Sequence, residues 1–347
     1  MKKCLRQLPA LLSVGTLLLG PAALCATDKP YHPVREIPVG GDGGWDYLSV
    51  DPAAHRLYVS HGTEVVVINT ADNTVAGRIA DTPGVHGIAI APELKRGFST
   101  NGRDNSMSIV DLGTLKTVAK VATGENPDAM LYEPGRREVY AFNGRGQSAT
   151  VIDAQTGRPV ATIPLGGKPE FCAADSAAGR VYCNIEDTNE VAAIDTATHQ
   201  VVSRWPIAPG AEATGMAIDV AHHRLFIGCH NRLLAMLDTA SGKVVATVPI
   251  GAGVDANDFD PGTQLAFASC GDGTVTIAHE DAPDKLTVVQ TLTTEPRART
   301  MALDPATHKI YLASAKFETP AEPPKPGQRP RPKMVPGSFK VLVYGRD

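Results

Sequence analysis

Aromatic residues are scarce: eight Phe, eight Tyr and two Trp in 347 residues. With 33 glycines, this composition fits short strands joined by tight turns. Basic charge is not in excess either. Lys and Arg number 33 against 37 acidic residues, a net charge of −4, so no global basic field recruits nucleic acid or anionic lipid. Beyond the N-terminal segment no apolar run is long enough to cross a bilayer. There is no Gly-x-Ser-x-Gly, no phosphate loop and no dinucleotide fingerprint, and GGDGG at 40–44 falls at a turn between repeats.

The N-terminal segment has its own logic. Lys2, Lys3 and Arg6 precede an apolar stretch from Leu11 to Leu19, followed by small residues at Ala22, Ala23 and Ala26. Residues 1–26 therefore read as a secretory signal peptide, with a periplasmic or secreted product. Ala22-Ala23-Leu24-Cys25 is close to a lipoprotein box, but Leu24 fits it poorly, so anchoring at Cys25 is the weaker alternative. Six cysteines are present, and Cys4 leaves with the signal. Cys172 and Cys183 flank a turn around 176–179 and should face each other across two antiparallel strands. A disulfide and a pair of small buried thiols both fit that placement. Cys229 and Cys270 occupy matching places in neighbouring repeats, too far apart to bridge, and are expected as free thiols.

The mature segment, 27–347, repeats one phrase. Short apolar strands end at Asn69, Asp111, Asp153, Asp195 and Asp238, spaced by 42, 42, 42 and 43 residues. TVTIAHE ends at Glu280, and FKVLVY ends at Tyr344 after an insertion. Such a period, with several short alternating strands per unit, predicts an all-β, seven-bladed β-propeller of four-stranded antiparallel blades in a single domain. The last repeat lacks its fourth strand. HPVREIPVGG at 32–41 matches the fourth-strand phrase KVVATVPIGAG, so an N-terminal strand should complete the last blade and remove two sheet edges. Residues 318–337 hold seven prolines, which exclude a strand and predict a loop between the second and third strands of that blade. Counted from Lys316, this insertion is net +3.

The phrases RLYVSHG, EVYAFNG, RVYCNIED and KIYLASA, most of them after an Asp-Pro-like turn, resemble the YncE-like, YVTN-type β-propellers. The resemblance implies a secreted or periplasmic seven-bladed ring. Some relatives bind single-stranded DNA, and the resemblance carries no catalytic motif to transfer. Two features depart from it: the Pro-rich insertion, and His279-Glu280-Asp281 where sibling repeats have a plain Ile-Asp.

Aligning the repeats places one residue per blade just before the inner strand: Asp46, His86, Asp128, Glu170, Thr214, Asp255 and Arg299. All are polar, and they should ring the mouth of the channel. Glu212, Arg297 and Trp45 stand next to this ring, Trp45 either as wall packing or as a stacking platform. The loops joining second to third strands should add His61, Asn101, Asn143, Glu186, Asp187 and His230 on the same face, with His61 and His86 able to converge. The pair His222-His223 reads as an exposed turn.

Three functions follow. The leading one is a monomeric binding or interaction scaffold that meets a protein or small-molecule ligand at the polar funnel. The second is a metal-dependent lyase or lactone hydrolase using ring carboxylates, with His61, His86 and His230 as candidate ligands for a divalent metal. The third, single-stranded DNA binding, rests on the resemblance alone. The ring opposes it, because Asp46, Asp128, Glu170 and Asp255 outweigh Arg299 by three charges.

Overall fold

The computed structural model describes residue 1 and residues 29–318 and 333–346. Residues 2–28, which include Cys25 and most of the segment expected to be a signal peptide, and the centre of the Pro-rich insertion lie outside the described residues. Among the described residues, twenty-eight strands form seven four-stranded antiparallel sheets. The inner strands are Leu48–Asp51, Val85–Ala91, Pro127–Glu133, Pro169–Asp175, Ala213–Asp219, Val254–Asp260 and Met301–Asp304, which begin blades one to seven in that order. The chain closes on itself in blade seven, where His32–Pro38 pairs antiparallel with Lys340–Gly345. No helix among the described residues is long and apolar enough to cross a membrane.

The second strand of every blade carries one aromatic side chain at its third position: Tyr58, Phe98, Tyr140, Tyr182, Phe226, Phe267 and Tyr311. None is more than 3 % exposed. These seven rings take a large share of the chain's few aromatics and spend them where adjacent sheets meet. Tyr140, for example, packs in one cluster with Val181, Ala192 and Ile194 of the next blade. The fourth strands face outward and expose valines among their polar residues, as in Lys116–Ala122, where no residue is buried and Val118 is 60 % exposed.

Five inner strands share one irregularity. The ladder to the second strand slips across the ring position, between Val85/Ile88, Pro127/Met130, Pro169/Cys172, Ala213/Met216 and Val254/Ala256. A bulge of this kind re-aims a side chain without ending the strand. His86, Asp128, Glu170, Thr214 and Asp255 are thus the second residues of their strands, whereas Asp46 and Arg299 stand ahead of theirs. A second repeated bond fixes the loops at this end. In six blades the first N–H after the second strand, or one close to it, donates to the residue two places before the ring position: Gly62 to Gly44, Gly102 to Gly84, Gly144 to Asn126, Glu186 to Lys168, His230 to Glu212 and Gly271 to Gly253, at 2.8–3.1 Å. Blade seven has the insertion there instead. Its base is zipped by Glu318 N–H to Lys333 O and Val335 N–H to Lys316 O, both 2.8 Å, and by a Phe317–Met334 bridge.

Cys172 and Cys183 stand directly opposite each other in blade four, and both are buried free thiols rather than a disulfide. Facing residues of a regular antiparallel pair hold their Cβ atoms about 4.5–5.5 Å apart, wider than most disulfides accept. Cys229 and Cys270 are buried free thiols as well.

Candidate functional site

The bulged strand starts converge on a cavity of about 230 Å³, lined by Asp46, Tyr47, Asp128, Lys168, Glu170, Glu186, Thr214, His230, Asp255, Arg299 and Thr300. Two wider hollows adjoin it. One, of about 590 Å³, shares Arg299 and Thr300 and adds Trp45, Arg297, Phe317 and Met334. The other, of about 480 Å³, shares Asp46 with the cavity and Trp45 with the first hollow, and adds His86, Gly102, Arg103, Asn126 and Arg145.

Charge in the ring is arranged in three local groups. His86 Nδ1 lies 2.8 Å from Asp46 Oδ2 and 3.3 Å from Asp128 Oδ1, and all three side chains are half-buried. Burial disfavours the imidazolium, but the hydrogen bond to Asp46 and the charge of Asp128 win, raising its pKa to about 9. His86 is therefore a clamped cation at neutral pH. Lys168 Nζ reaches both Glu170 and Glu186. Burial opposes its charge, and those two carboxylates hold its pKa above the ordinary lysine value. Arg299 Nε is 3.2 Å from Asp255 Oδ2.

These pairings leave a surplus of negative charge. Burial is the first cause of the shift in each case. With Asp46 it raises Asp128 to about 6, and with Asp128 it raises Glu170 to about 8 against the pull of Lys168. Asp255 rises to about 7, Arg299 opposing and Asp46 adding. Five carboxylates, Asp46, Asp128, Glu170, Glu186 and Asp255, line the small cavity beside Lys168 and Arg299. Such a surplus is relieved by protons or by a bound cation.

Tyr47 and Lys168 were not among the sequence candidates. Tyr47 packs on Phe171 at 5.1 Å and lines both the funnel cavity and a further one of about 310 Å³ beneath it, so it divides the channel. Burial, then the charge of Asp128 and its neighbours, holds the phenol protonated far above its usual range. A signal was available: the Tyr47 position holds Gly87, Ala129, Gly215, Ala256 and Thr300 in other repeats, and the other aromatic in that column, Phe171, is its packing partner. Lys168 stands in the same column as Glu212 and Arg297, two places before the ring.

Other candidates land elsewhere. His61 is buried, stacks on Phe339 at 4.1 Å, and does not join His86. His230 lines the small cavity, 3.7 Å from the exposed Glu212, and His61, His86 and His230 do not form a ligand set. The physical reason is that the second-strand ends diverge from blade to blade, and His61 is drawn onto the core aromatic of blade seven. Among the described residues, the set that does converge here is Asp46, His86 and Asp128, with donor atoms within 4.8 Å of one another. Asn101 and Asn143 are internal: each donates its amide to two hydroxyls of its own hairpin, Ser106 and Ser108, or Ser148 and Thr150. Asp187 accepts the Lys168 N–H at 2.8 Å. The Thr214 hydroxyl donates to Val254 O at 2.9 Å, which leaves the backbone as its partner. Trp45 packs between Phe317 and Phe339 at 6.1 and 5.2 Å, and the Arg297 guanidinium lies 4.6 Å over Phe317. Trp45 is thus both wall packing and one side of the 590 Å³ hollow.

The chain matches no family model and no curated protein.

Proposed function

We propose that this chain is a binding propeller of the YncE-like kind, exported from the cytoplasm, whose funnel receives a small positively charged ligand. One observation carries the reading: five carboxylates against Lys168, Arg299 and the His86 imidazolium around a cavity of about 230 Å³. A cation entering it replaces protons that the ring otherwise holds. The aromatic shelf of Trp45 and Phe317 beside it suits the apolar body of the same ligand. Calorimetry with putrescine and choline as cationic probes, and acetate as an anionic control, tests the reading. Expected is cation binding that weakens roughly tenfold in Asp128→Asn or Glu170→Gln, about 1.4 kcal/mol. Binding also weakens as pH falls through about 8 to 6, where Glu170, Asp255 and Asp128 take up protons. Binding of acetate but of neither cation sinks it.

A metal-dependent enzyme is the second reading, favoured by the Asp46–His86–Asp128 cluster. A divalent ion held there would supply an activated water for hydrolysis or lyase chemistry. His86 must first lose its proton, so loading is expected to strengthen steeply with pH. Elemental analysis of chelator-free protein beside His86→Ala decides it: one metal per chain, lost in the variant, supports this reading. The carboxylate surplus weighs against a phosphate-bearing strand, whose binding would rest on Arg297, Arg299 and the basic insertion.

A further inference from the structure

Two sequence features stay outside the funnel: the His222-His223 turn of blade five and the His279-Glu280-Asp281 departure in blade six. The fold brings them together at the far end of the strands. Asp219 ends the inner strand Ala213–Asp219, His222 stands in the turn after it, and Glu280 lies near the end of Thr274–Ala282 in the next blade. His222 Nδ1 is 2.6 Å from Asp219 Oδ2 and 3.6 Å from Glu280 Oε1. One donor atom from each residue lies within 4.8 Å of the other two.

Glu280 is what sets this cluster apart from an ordinary surface group. It is 2 % exposed, and neither carboxylate oxygen has a hydrogen-bond partner. A buried carboxylate without donors is unfavourable unless a cation or a proton compensates it. The nearest guanidinium is engaged elsewhere: Arg224 donates to Pro283 O, His222 O, His223 O and Asp238 Oδ1. Burial, then Asp219, pushes the Glu280 pKa up to about 7.

We propose that Asp219, His222 and Glu280 form a site for one divalent transition-metal ion of the zinc or manganese class, tying blade five to blade six. One imidazole nitrogen and two carboxylate oxygens are a donor set these ions accept, and the imidazole disfavours calcium and magnesium. Ligand atoms held about 2.0–2.2 Å from a tetrahedral ion stand roughly 3.4 Å apart. The His222–Glu280 separation of 3.6 Å meets that spacing. The Asp219–His222 contact at 2.6 Å opens by less than about 1 Å to reach it, and His222, on a turn and 38 % exposed, is the group free to move. Its exposed flank leaves a fourth position for water, and both carboxylates are buried.

Calorimetric titration of the His86→Ala protein with zinc keeps the funnel cluster out of the measurement. Expected is one zinc per chain, with affinity reduced roughly tenfold or more when His222→Ala or Glu280→Gln is added. Thermal midpoints of the His86→Ala protein provide a second readout: zinc raises the midpoint and chelator lowers it, and adding His222→Ala abolishes the difference. Because His222 is on an exposed turn, that variant keeps the fold. Absence of zinc binding in His86→Ala overturns the proposal, as does zinc binding or a zinc-dependent midpoint unchanged by His222→Ala. Either outcome leaves Glu280 compensated by a proton.

Discussion

At His86, burial and charge pull in opposite directions, and the two aspartates win. Asp128, Asp255 and Glu170 are shifted upward too, to about 6, 7 and 8. For all four groups the folded pKa exceeds the unfolded one, so the folded state holds more protons. Their contribution to stability is fully present below about 4 for the carboxylates and about 6.5 for the histidine. It is lost as pH rises through the folded values, from about 6 for Asp128 to about 9 for His86. Thermal midpoints should therefore fall between pH 4 and 9, and the slope should flatten in Asp128→Asn/Glu170→Gln. A midpoint that rises over this range in both proteins contradicts the assignment. Gly102 guards the same histidine, since a Cβ there would lie 2.7 Å from His86 Nε2. Gly102→Ala should push the imidazole off Asp46 and bring its NMR titration back toward about 6.5.

Each second strand carries its aromatic where two blades meet, and that ring is where the stability of the strand is concentrated. Phe98 is 0 % exposed, so Phe98→Ala should cost about 3–5 kcal/mol in urea unfolding. Val118, 60 % exposed on an outer strand, serves as the control, and Val118→Ala should stay within about 0.5 kcal/mol. The same regularity made the blades legible in the sequence, because one pleat repeated at a fixed period leaves one apolar alternation everywhere. The ring positions were legible because a polar residue interrupts that alternation at one place in every repeat. The bulge that turns them into the channel was not, since it is a slip of hydrogen-bond register with no residue type of its own. His61 was misread because its partner, Phe339, belongs to a blade at the other end of the chain. Asn101 and Asn143 were misread because the hydroxyls that capture them, such as Ser108 and Thr150, sit across the hairpin, and alignment by column does not weigh cross-strand neighbours. Glu280 showed in the sequence as a departure from its siblings, but only the packed ring places it against Asp219 and His222.

The ring as a whole depends on the join in blade seven. Lys340 Nζ fastens it at the surface, at 2.8 Å from Glu36 and 2.7 Å from Glu295 in the segment that links blade six to blade seven. Removing residues 29–38 would strip a strand from one side of Lys340–Gly345 and unseat Ile37, which is 2 % exposed in the core. The shortened protein should melt lower and scatter light increasingly with concentration, because the freed edge pairs with other copies. A truncation that melts and scatters like the parent contradicts this. The join also sets an order of events. Lys340 and Glu36 are 304 positions apart, so the first strand synthesised is the last to find its partner. Six sheets are each built from one continuous stretch of chain, while His32–Pro38 stays single and unpaired until Lys340–Gly345, far along the sequence, reaches it. Closure is thus the last long-range step of folding, and a chain cut short before Lys340 is an open arc with two sticky ends rather than a smaller ring.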